Sequence, residues 1–392
     1  MITLKKIAGA VILFLALFGF PAAAAAQEAE RTAFLLAAPE SGPLADFGLK
    51  ARQGAELALS IWGGGFRLEF LDESRPEALD EIDLGDMALV LGYFTENRFA
   101  ADAPRYLYLQ KPVLLPYLTN EEAAGRGPGL FFRLMPTAGE QGRFLALEIL
   151  KMNRRPSRLL LVTGLRPAQA ALVGELVETL ARPDRPPEAA LAEDPGSRAS
   201  SPPAARAPAA KSNIKPLDSK ARVVTLDIAQ ALEPEGLAQF GKNRPDLVVL
   251  ALDRAEALEL APRLAESGYG QLPLWGVTSL GFREVGAAFT RLNLDLRLCL
   301  PAANLADQEN LAVRDFIRQF IDAYKTRPTW ISALTFDGLN LAIKAASNGE
   351  DGLLDFLAGR THHALAAYDL NGGGLTPLAF MPVRAATLGF LP

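Results

Sequence analysis

Side chains that could hold a small ligand follow several apolar runs of this 392-residue sequence. In open α/β sheets, ligands bind beyond the carboxyl ends of the strands, where loops lead into helices. The segments that meet this description are residues 39–43, 93–97, 117–120, 164–167, 252–254 and 277–280. Their hydroxyl, phenol and carboxylate groups belong to Ser41, Tyr93, Thr95, Glu96, Tyr117, Thr119, Asp253, Thr278 and Ser279. Hydroxyls beside helix N-terminal amides suit a polar or anionic group, so the sequence predicts a binding site for a small polar molecule.

A purely structural role competes with ligand binding for three of these residues. Thr95, Thr119 and Ser279 are residue types that also cap helices and form turns. For each of them taken singly, capping stays open as an alternative. The glycine triplets at 63–65 and 372–374 are more typical of turns than of phosphate-binding loops.

Residue types for catalysis or metal binding are few. His362 and His363 are the two histidines, and as neighbours on a strand they would face opposite sides of a sheet. Cys299 is the single cysteine, which excludes an internal disulfide and a cysteine metal cluster. No P-loop, no GxGxxG after a strand and no GxSxG motif is present. The sequence therefore predicts a protein that is not an enzyme and has no catalytic residue, metal or cofactor.

The elements that must position the loops are short apolar strands alternating with helical patterns. Strands are predicted at 32–38, 66–71, 87–91, 113–115, 159–162, 223–226 and 247–250, and helices at 44–62, 137–152, 168–181, 228–240 and 255–266. Strands this apolar are buried on both faces, which indicates parallel sheets covered by helices. There are too many units for one sheet of usual width, so two α/β lobes are expected.

The composition predicts a folded protein, and the net charge argues against a nucleic-acid partner. Apolar residues make up 49% of the chain, enough for a sizeable core. The formal net charge is −5, from 40 basic and 45 acidic residues. Nucleic-acid binding needs a basic face that displaces counterions, so no nucleic-acid partner is expected.

The first 26 residues have the pattern of a cleavable signal peptide. Lys5 and Lys6 precede an apolar run at 7–20, and alanines at 22–26 supply a small-residue cleavage site before Gln27. An uncleaved anchor is the alternative, although the run is short for a membrane span. No cysteine follows the run, which argues against a lipid anchor. The sequence predicts a soluble exported protein.

One segment, residues 182–220, interrupts the alternation of strands and helices. It is rich in Pro, Ala, Ser and charged residues and carries little apolar surface that could offset its ordering entropy. It is predicted to be a disordered insertion within one lobe, because the strand and helix pattern resumes unchanged after it. A linker between domains is the alternative.

Six segments, taken in order, resemble type I periplasmic solute-binding proteins of the branched-chain amino acid class. They are APESGPLADFGLKARQGAELAL (38–59), ALVLGYFTEN (88–97), KPVLLPYLTN (111–120), FFRLMPTAGEQGRFLALEIL (131–150), PTWISALTFDGLNLAIKA (328–345) and YDLNGGG (368–374). The first contains an aromatic-glycine pair at the start of its helix, which adds Phe47 to the candidate ligand-binding residues. The resemblance covers most of the chain after residue 26, and the insertion is foreign to it.

The resemblance implies a type I periplasmic binding protein fold. Each lobe would be a mainly parallel sheet flanked by helices, and three hinge crossings would join the lobes. The first lobe would hold residues 28–137 and 301–359, and the second lobe residues 138–300 and 360–392. A small polar ligand of the amino acid or amide type would bind in the cleft, and the membrane permease of an ABC importer would be the partner. The protein is expected to be a monomer that closes on its ligand.

Three positions depart from the pattern that the resemblance implies. Thr119 matches a threonine that holds the ligand carboxylate, but Glu96 stands where a serine would hold the same group, and a second carboxylate there would be repelled. No acidic residue falls near 277–279, where one would bind the ligand ammonium, and the second-lobe tyrosine after Val162 is absent. In addition, residues 72–86 are too few for the helix that separates the second and third strands.

Two functions of different classes follow. The first is the substrate-binding component of an ABC importer. The alternative is a ligand-independent envelope protein-interaction module on the same scaffold, such as a penicillin-binding-protein activator. The departures and the insertion favour the second function, whereas the absence of a lipid-anchor cysteine favours the first.

Overall fold

The computed structural model describes residues 32–183, 221–241, 243–300 and 310–347, with residue 217 and short stretches between 354 and 384. The predicted signal peptide and most of the predicted insertion lie outside these residues. None of the helices in this part of the chain combines the length and the hydropathy that a membrane span requires.

The first sheet has five parallel strands, all from the amino-terminal third of the chain. They are β1 (Thr32–Ala38), β2 (Phe66–Asp72), β3 (Met87–Gly92), β4 (Val113–Leu115) and β5 (Phe131–Arg133), in the order β2-β1-β3-β4-β5. β1 is an inner strand, between β2 and β3, and nearly all of it is buried, as its continuous apolar sequence predicts.

The second sheet has six strands. They are β6 (Arg158–Thr163), β7 (Arg222–Asp227), β8 (Leu247–Ala251), β9 (Leu274–Gly276), β10 (Leu296–Leu300) and β14 (Met381–Arg384), in the order β14-β10-β9-β8-β6-β7. The first five are parallel, and β14 is antiparallel to β10, with Arg297 opposite Arg384. A third, antiparallel sheet consists of β11 (Thr361–His363), β12 (Ala367–Leu370) and β13 (Leu375–Pro377).

Ten helices flank the sheets among the described residues. They are α1 (Ala45–Trp62), α2 (Glu96–Tyr108), α3 (Glu121–Gly125), α4 (Ala138–Lys151), α5 (Pro167–Ala181), α6 (Ile228–Leu232), α7 (Arg254–Glu266), α8 (Arg283–Arg291), α9 (Leu311–Tyr324) and α10 (Trp330–Ala346). Parallel strands covered by helices confirm the predicted α/β class.

Helix α10 returns late in the chain to pack against α1, beside the first sheet. Nearly every residue of α10 is buried, including Asp337 near its middle, which accepts a hydrogen bond from the Leu365 N–H at 3.0 Å. The exact bounds of the two lobes remain a prediction.

One predicted helix, 228–240, is wrong in its length. The α-helix ends at Leu232, and a turn separates it from a short 3₁₀ segment, Ala238–Phe240. Pro234 cannot continue the ladder of backbone hydrogen bonds. Gly236 packs so closely on Gln230 that a Cβ there would lie 1.9 Å from the Gln230 carbonyl oxygen. The short connection at 72–86 is confirmed: it holds two 3₁₀ turns, Ala78–Glu81 and Leu84–Asp86.

Candidate functional site

Five aromatic rings meet at the carboxyl ends of the parallel strands of the two large sheets, and we call them the ring cluster: Phe47, Phe94, Tyr117, Phe282 and Trp330. Phe94 stacks on Tyr117 with ring centroids 3.8 Å apart, and Tyr117 meets Trp330 edge-on at 6.3 Å. Phe47 lies 6.4 Å from Phe94 and meets Phe282 edge-on at 4.8 Å. Offset-stacked and edge-on pairs at such distances are attractive beyond their burial.

The ring cluster joins elements of both sheets. Phe282 follows β9 of the second sheet, whereas Phe47 lies in α1 and Trp330 begins α10 beside the first sheet. The Trp330 indole N–H donates to the Gly281 carbonyl oxygen at 3.2 Å, a second contact between the same elements. The Arg254 guanidinium lies 5.6 Å from the Phe282 ring centroid, on the second-sheet side. The carboxyl-end loops of the two sheets therefore face each other across these rings.

The backbone at the end of β3 aims Phe94 into the ring cluster. Gly92 has φ 139° and Tyr93 has φ 70°, two successive residues in a region that L side chains rarely adopt. A Cβ at Gly92 would lie 2.0 Å from the Ala37 carbonyl oxygen, so only glycine fits there. The Tyr93 N–H donates to the same oxygen at 2.9 Å, which fixes the turn.

Glu73 lies behind the ring cluster, directly after β2. Glu73 is only 5% exposed, and its Oε2 accepts a hydrogen bond from the Phe94 N–H at 2.8 Å. Its Oε1 is buried and has no hydrogen-bond partner in the described part of the chain. Burial raises the pKa of Glu73 to about 7, against the opposing effects of the Phe94 N–H and the Arg98 charge.

The Tyr117 hydroxyl is held from the opposite side by α10. It bonds to the Thr335 hydroxyl, which in turn donates to the Ile331 carbonyl oxygen at 2.8 Å. Burial raises the pKa of Tyr117, and the nearby Glu73 charge acts in the same direction. The ring of Tyr117 is therefore fixed between Phe94 and Trp330 and stays neutral.

The structure brings five of the ten predicted site residues to or beside the ring cluster. Phe47 and Tyr117 are members of it. Thr95 and Glu96 follow Phe94 directly, and Thr119 lies two residues after Tyr117. Thr95 stands at the N-cap of α2 without a side-chain cap bond, while Asn120, next to Thr119, accepts the Glu122 N–H. Asn120 also donates to Glu96 Oε2 at 3.2 Å. Capping thus does not explain the Thr95 hydroxyl.

Tyr93 is a correction to the predicted site. Its residue is fully buried, and its hydroxyl donates to Asp102 at 2.8 Å and bonds to the Tyr106 hydroxyl. Burial raises the pKa of Tyr93 well above its usual value. The turn at Gly92 and Tyr93, with its two positive φ angles, places the Phe94 ring in the ring cluster and the Tyr93 side chain in the core.

Four other predicted residues use their polar groups within the protein. Asp253 caps α7 by accepting the Glu256 N–H at 2.9 Å, and its second oxygen lies 2.7 Å from Arg166 Nη2. The Ser279 hydroxyl donates to the Leu252 carbonyl oxygen at 2.6 Å, and buried Thr278 donates to Gln141 Oε1 at 3.0 Å. Ser41 donates to Asp72 at 3.2 Å. Hydrogen bonds within the protein therefore account for the polar side chains of all four residues.

Four residues of the site were not predicted: Glu73, Phe94, Phe282 and Trp330. Phe94 lies inside a predicted loop and Trp330 inside a quoted segment, but rings there are equally typical of a core. Glu73 comes directly after a predicted strand, so the rule about strand ends could have found it. Among the residues that the structure describes, no cluster of His, Cys, Asp or Glu side chains could hold a metal ion.

A separate cavity of about 400 Å³ opens on the second sheet's side, between α6 and α7. Arg244 and Arg263 line it, and both have partners: Arg244 donates to the Gly268 carbonyl oxygen at 3.4 Å, and Arg263 lies 3.5 Å from Glu266. Its charges are balanced locally, and we assign it no ligand.

Comparisons with solved structures find many chains of the same architecture. The chain matches the branched-chain amino acid transporter substrate-binding protein LivJ from Streptococcus pneumoniae, solved with isoleucine, at 15% identity and a TM-score of 0.63, covering 90% of this chain and 99% of that one. It matches an ABC transporter solute-binding protein from R. palustris, solved with benzoate, at 18% identity and a TM-score of 0.60, covering 92% and 99%.

A third similar structure is an ABC transporter substrate-binding protein from Desulfitobacterium hafniense in complex with Leu. The identity is 14% and the TM-score is 0.64, and the match covers 90% of this chain and 98% of that chain. No family model and no curated protein matches the sequence. At these identities the likeness shows the fold, which is that of the type I periplasmic binding proteins, as the resemblance implied.

Proposed function

We propose that this protein is the periplasmic solute-binding component of an ABC importer and holds a small ligand at the ring cluster. The observation that carries the proposal is the meeting of Phe47 and Phe282 at 4.8 Å, because it brings the carboxyl-end loops of the two sheets to one place. The similar structures with isoleucine, Leu and benzoate support it. The protein acts as a monomer without catalysis, exported by its signal peptide, and its partner is a membrane permease.

Two kinds of contact would hold the ligand. The rings contact its apolar part, and the hydroxyls of Thr95 and Thr119 together with Glu96 contact a polar group of the amino acid or amide type. A carboxylate placed beside Glu96 would be repelled, so cationic or amide groups fit better there.

A thermal-shift screen of polar and aromatic metabolites tests the proposal. A ligand at a hundredfold excess over its Kd stabilises the protein by about 2.7 kcal/mol, which gives a clear shift. Calorimetry of the best compound should then show weaker binding to Thr119→Ala. Thr225→Ala, a threonine exposed on the edge strand β7, is the matched control and should bind as the parent does. A screen without any shift would contradict the proposal.

The second candidate, a ligand-independent envelope interaction module, is favoured by one observation. Phe47 and Trp330, beside the first sheet, already contact Phe282 and Gly281, which follow β9 of the second sheet. These contacts hold the two sheets together without a ligand. If no compound shifts the melting curve and the purified protein forms a stable complex with a penicillin-binding protein in sedimentation, this candidate replaces the first.

A further inference from the structure

We propose that the ligand is a planar aromatic molecule carrying a neutral hydrogen-bond donor, and that Glu73 accepts this donor. The inference rests on the solute-binding function proposed above and names its substrate class. It adds Glu73 to the polar contacts of the ligand, beside those proposed above for Thr95, Glu96 and Thr119.

One oxygen of the Glu73 carboxyl group accepts a hydrogen bond within the protein, and the other does not. The Phe94 N–H binds Oε2 at 2.8 Å, while Oε1 is buried without a hydrogen-bond partner in the described residues. Buried polar atoms in folded proteins almost always have a partner, so an oxygen without one requires an explanation. A donor on a bound ligand supplies the missing bond.

The position of this oxygen explains why the ligand should be aromatic. The residue that binds Oε2 through its backbone is the residue whose ring stacks on Tyr117 at 3.8 Å. The carboxyl group also lies near enough for its charge to act on the Tyr117 hydroxyl. A group that binds Oε1 therefore lies close to Phe94 and Tyr117, and a planar ring attached to it can make offset-stacked and edge-on contacts that an aliphatic chain lacks.

The surrounding charges explain why the donor should be neutral rather than part of a carboxylate. Asp72 and Asp102 act on Glu73 as like charges, and Arg98 is the cation that opposes them. Arg98 forms an ion pair with Asp102, with Nε 2.9 Å from Oδ2, and its Nη1 donates to the Pro76 carbonyl oxygen, while its Nη2 is buried without a hydrogen-bond partner in the described residues. The single positive charge of Arg98 is thus shared with Asp102. A ligand carboxylate would add another negative charge to this acidic group, whereas an amide N–H or a phenol O–H adds none.

Calorimetry with four probes tests the inference: benzamide, benzoate, cyclohexanecarboxamide and leucine. Benzamide has both the ring and the neutral donor; benzoate lacks the donor, cyclohexanecarboxamide lacks the aromatic ring, and leucine lacks both. We expect benzamide to bind at least tenfold more tightly than each of the others. Tighter binding of benzoate, cyclohexanecarboxamide or leucine overturns the inference and leaves solute binding standing. If the four probes and the wider screen all fail, the proposed function fails too.

Variants at Glu73 test the role of the acceptor. In Glu73→Gln the single carboxamide oxygen accepts the Phe94 N–H, which leaves an NH2 donor at the Oε1 position, so this variant should lose benzamide binding at least tenfold. Glu73→Leu removes both oxygens and should lose at least as much. The exposed Glu122→Leu is the matched control and should bind as the parent does. Equal benzamide affinity in a folded Glu73→Leu variant overturns the inference. Should that variant not fold, the four-probe series on the parent decides.

Discussion

At the scale of single residues, Glu73 is a carboxyl group that the fold removes from water. Its pKa rises to about 7 from the usual 4.5, with burial as the main cause. The folded protein therefore binds the proton of Glu73 more tightly than the unfolded chain does. This stabilisation is complete below about pH 4.5 and is lost as the pH rises through about 7.

The shift predicts a pH-dependent stability that one substitution removes. From pH 5 to pH 8, the free energy of unfolding of the parent should fall by up to about 3 kcal/mol relative to Glu73→Gln, because one pKa unit corresponds to about 1.4 kcal/mol. Urea unfolding at the two pH values measures the difference. Glu122→Gln, at an exposed position, should follow the parent. Parallel pH profiles for the parent and Glu73→Gln would show that Glu73 is solvated.

The sequence predicts which loops form the site better than which side chains serve it. The rule about strand ends located the loops of Phe94 and Tyr117, because parallel strands place their carboxyl ends at one edge. It could not show that Tyr93 faces inward, since that depends on two positive φ angles. The rule also could not show whether Asp253 caps a helix or binds a ligand, because both roles use the same carboxylate at the same helix end.

At the scale of elements, the close packing of α1 on α10 depends on Gly54. A Cβ on Gly54 would lie 2.2 Å from the Ser332 carbonyl oxygen, which belongs to rigid helical backbone. Gly174, inside α5, has nothing within 4 Å of the same position. The two glycines thus differ in their surroundings while sharing a helical backbone.

Alanine at the two positions should have opposite effects. Gly54→Ala should destabilise the protein by about 1–3 kcal/mol, because the helices must move apart. Gly174→Ala should stabilise it by about 0.5–1 kcal/mol, because alanine loses less backbone entropy in a helix. Chemical denaturation of both variants checks this. Equal effects at the two sites would contradict the tight contact between α1 and α10.

Periodicity predicts elements where packing and local preference agree. β1 was predicted with its exact bounds, because it is apolar throughout and ends at Pro39. Helix α2 was not predicted, since Pro104 interrupts it and it begins within a candidate ligand loop. The prediction of a helix at 228–240 followed the apolar pattern and ignored Pro234 and Gly236. In the structure, α6 ends at Leu232, before these two residues.

At the scale of the whole molecule, the ring cluster links the two large sheets through the Phe282 ring and through the bond from the Trp330 N–H to the Gly281 carbonyl oxygen. Phe282→Ala removes the edge-on contact with Phe47 and the Arg254 contact, and an aromatic pair contributes about 0.5–1.5 kcal/mol. We expect a larger radius of gyration in small-angle scattering of the unliganded variant. Phe240→Ala, on the second-sheet side away from the cluster, is the control and should scatter as the parent does. Unchanged scattering of Phe282→Ala would show that other contacts hold the sheets together.

The late strand β14 has a consequence for how the protein is made. A ribosome releases the five strands of the first sheet by residue 133, yet the helix that covers α1 arrives only at 330–346, and β14 reaches β10 only at 381–384. A nascent chain therefore carries the uncovered apolar face of α1 from residue 62 until residue 330, and the open edge of β10 from residue 300 until residue 381. A premature stop codon after residue 347 would leave that edge permanently unpaired, and we expect the truncated product to depend on chaperones and proteases rather than on its own fold.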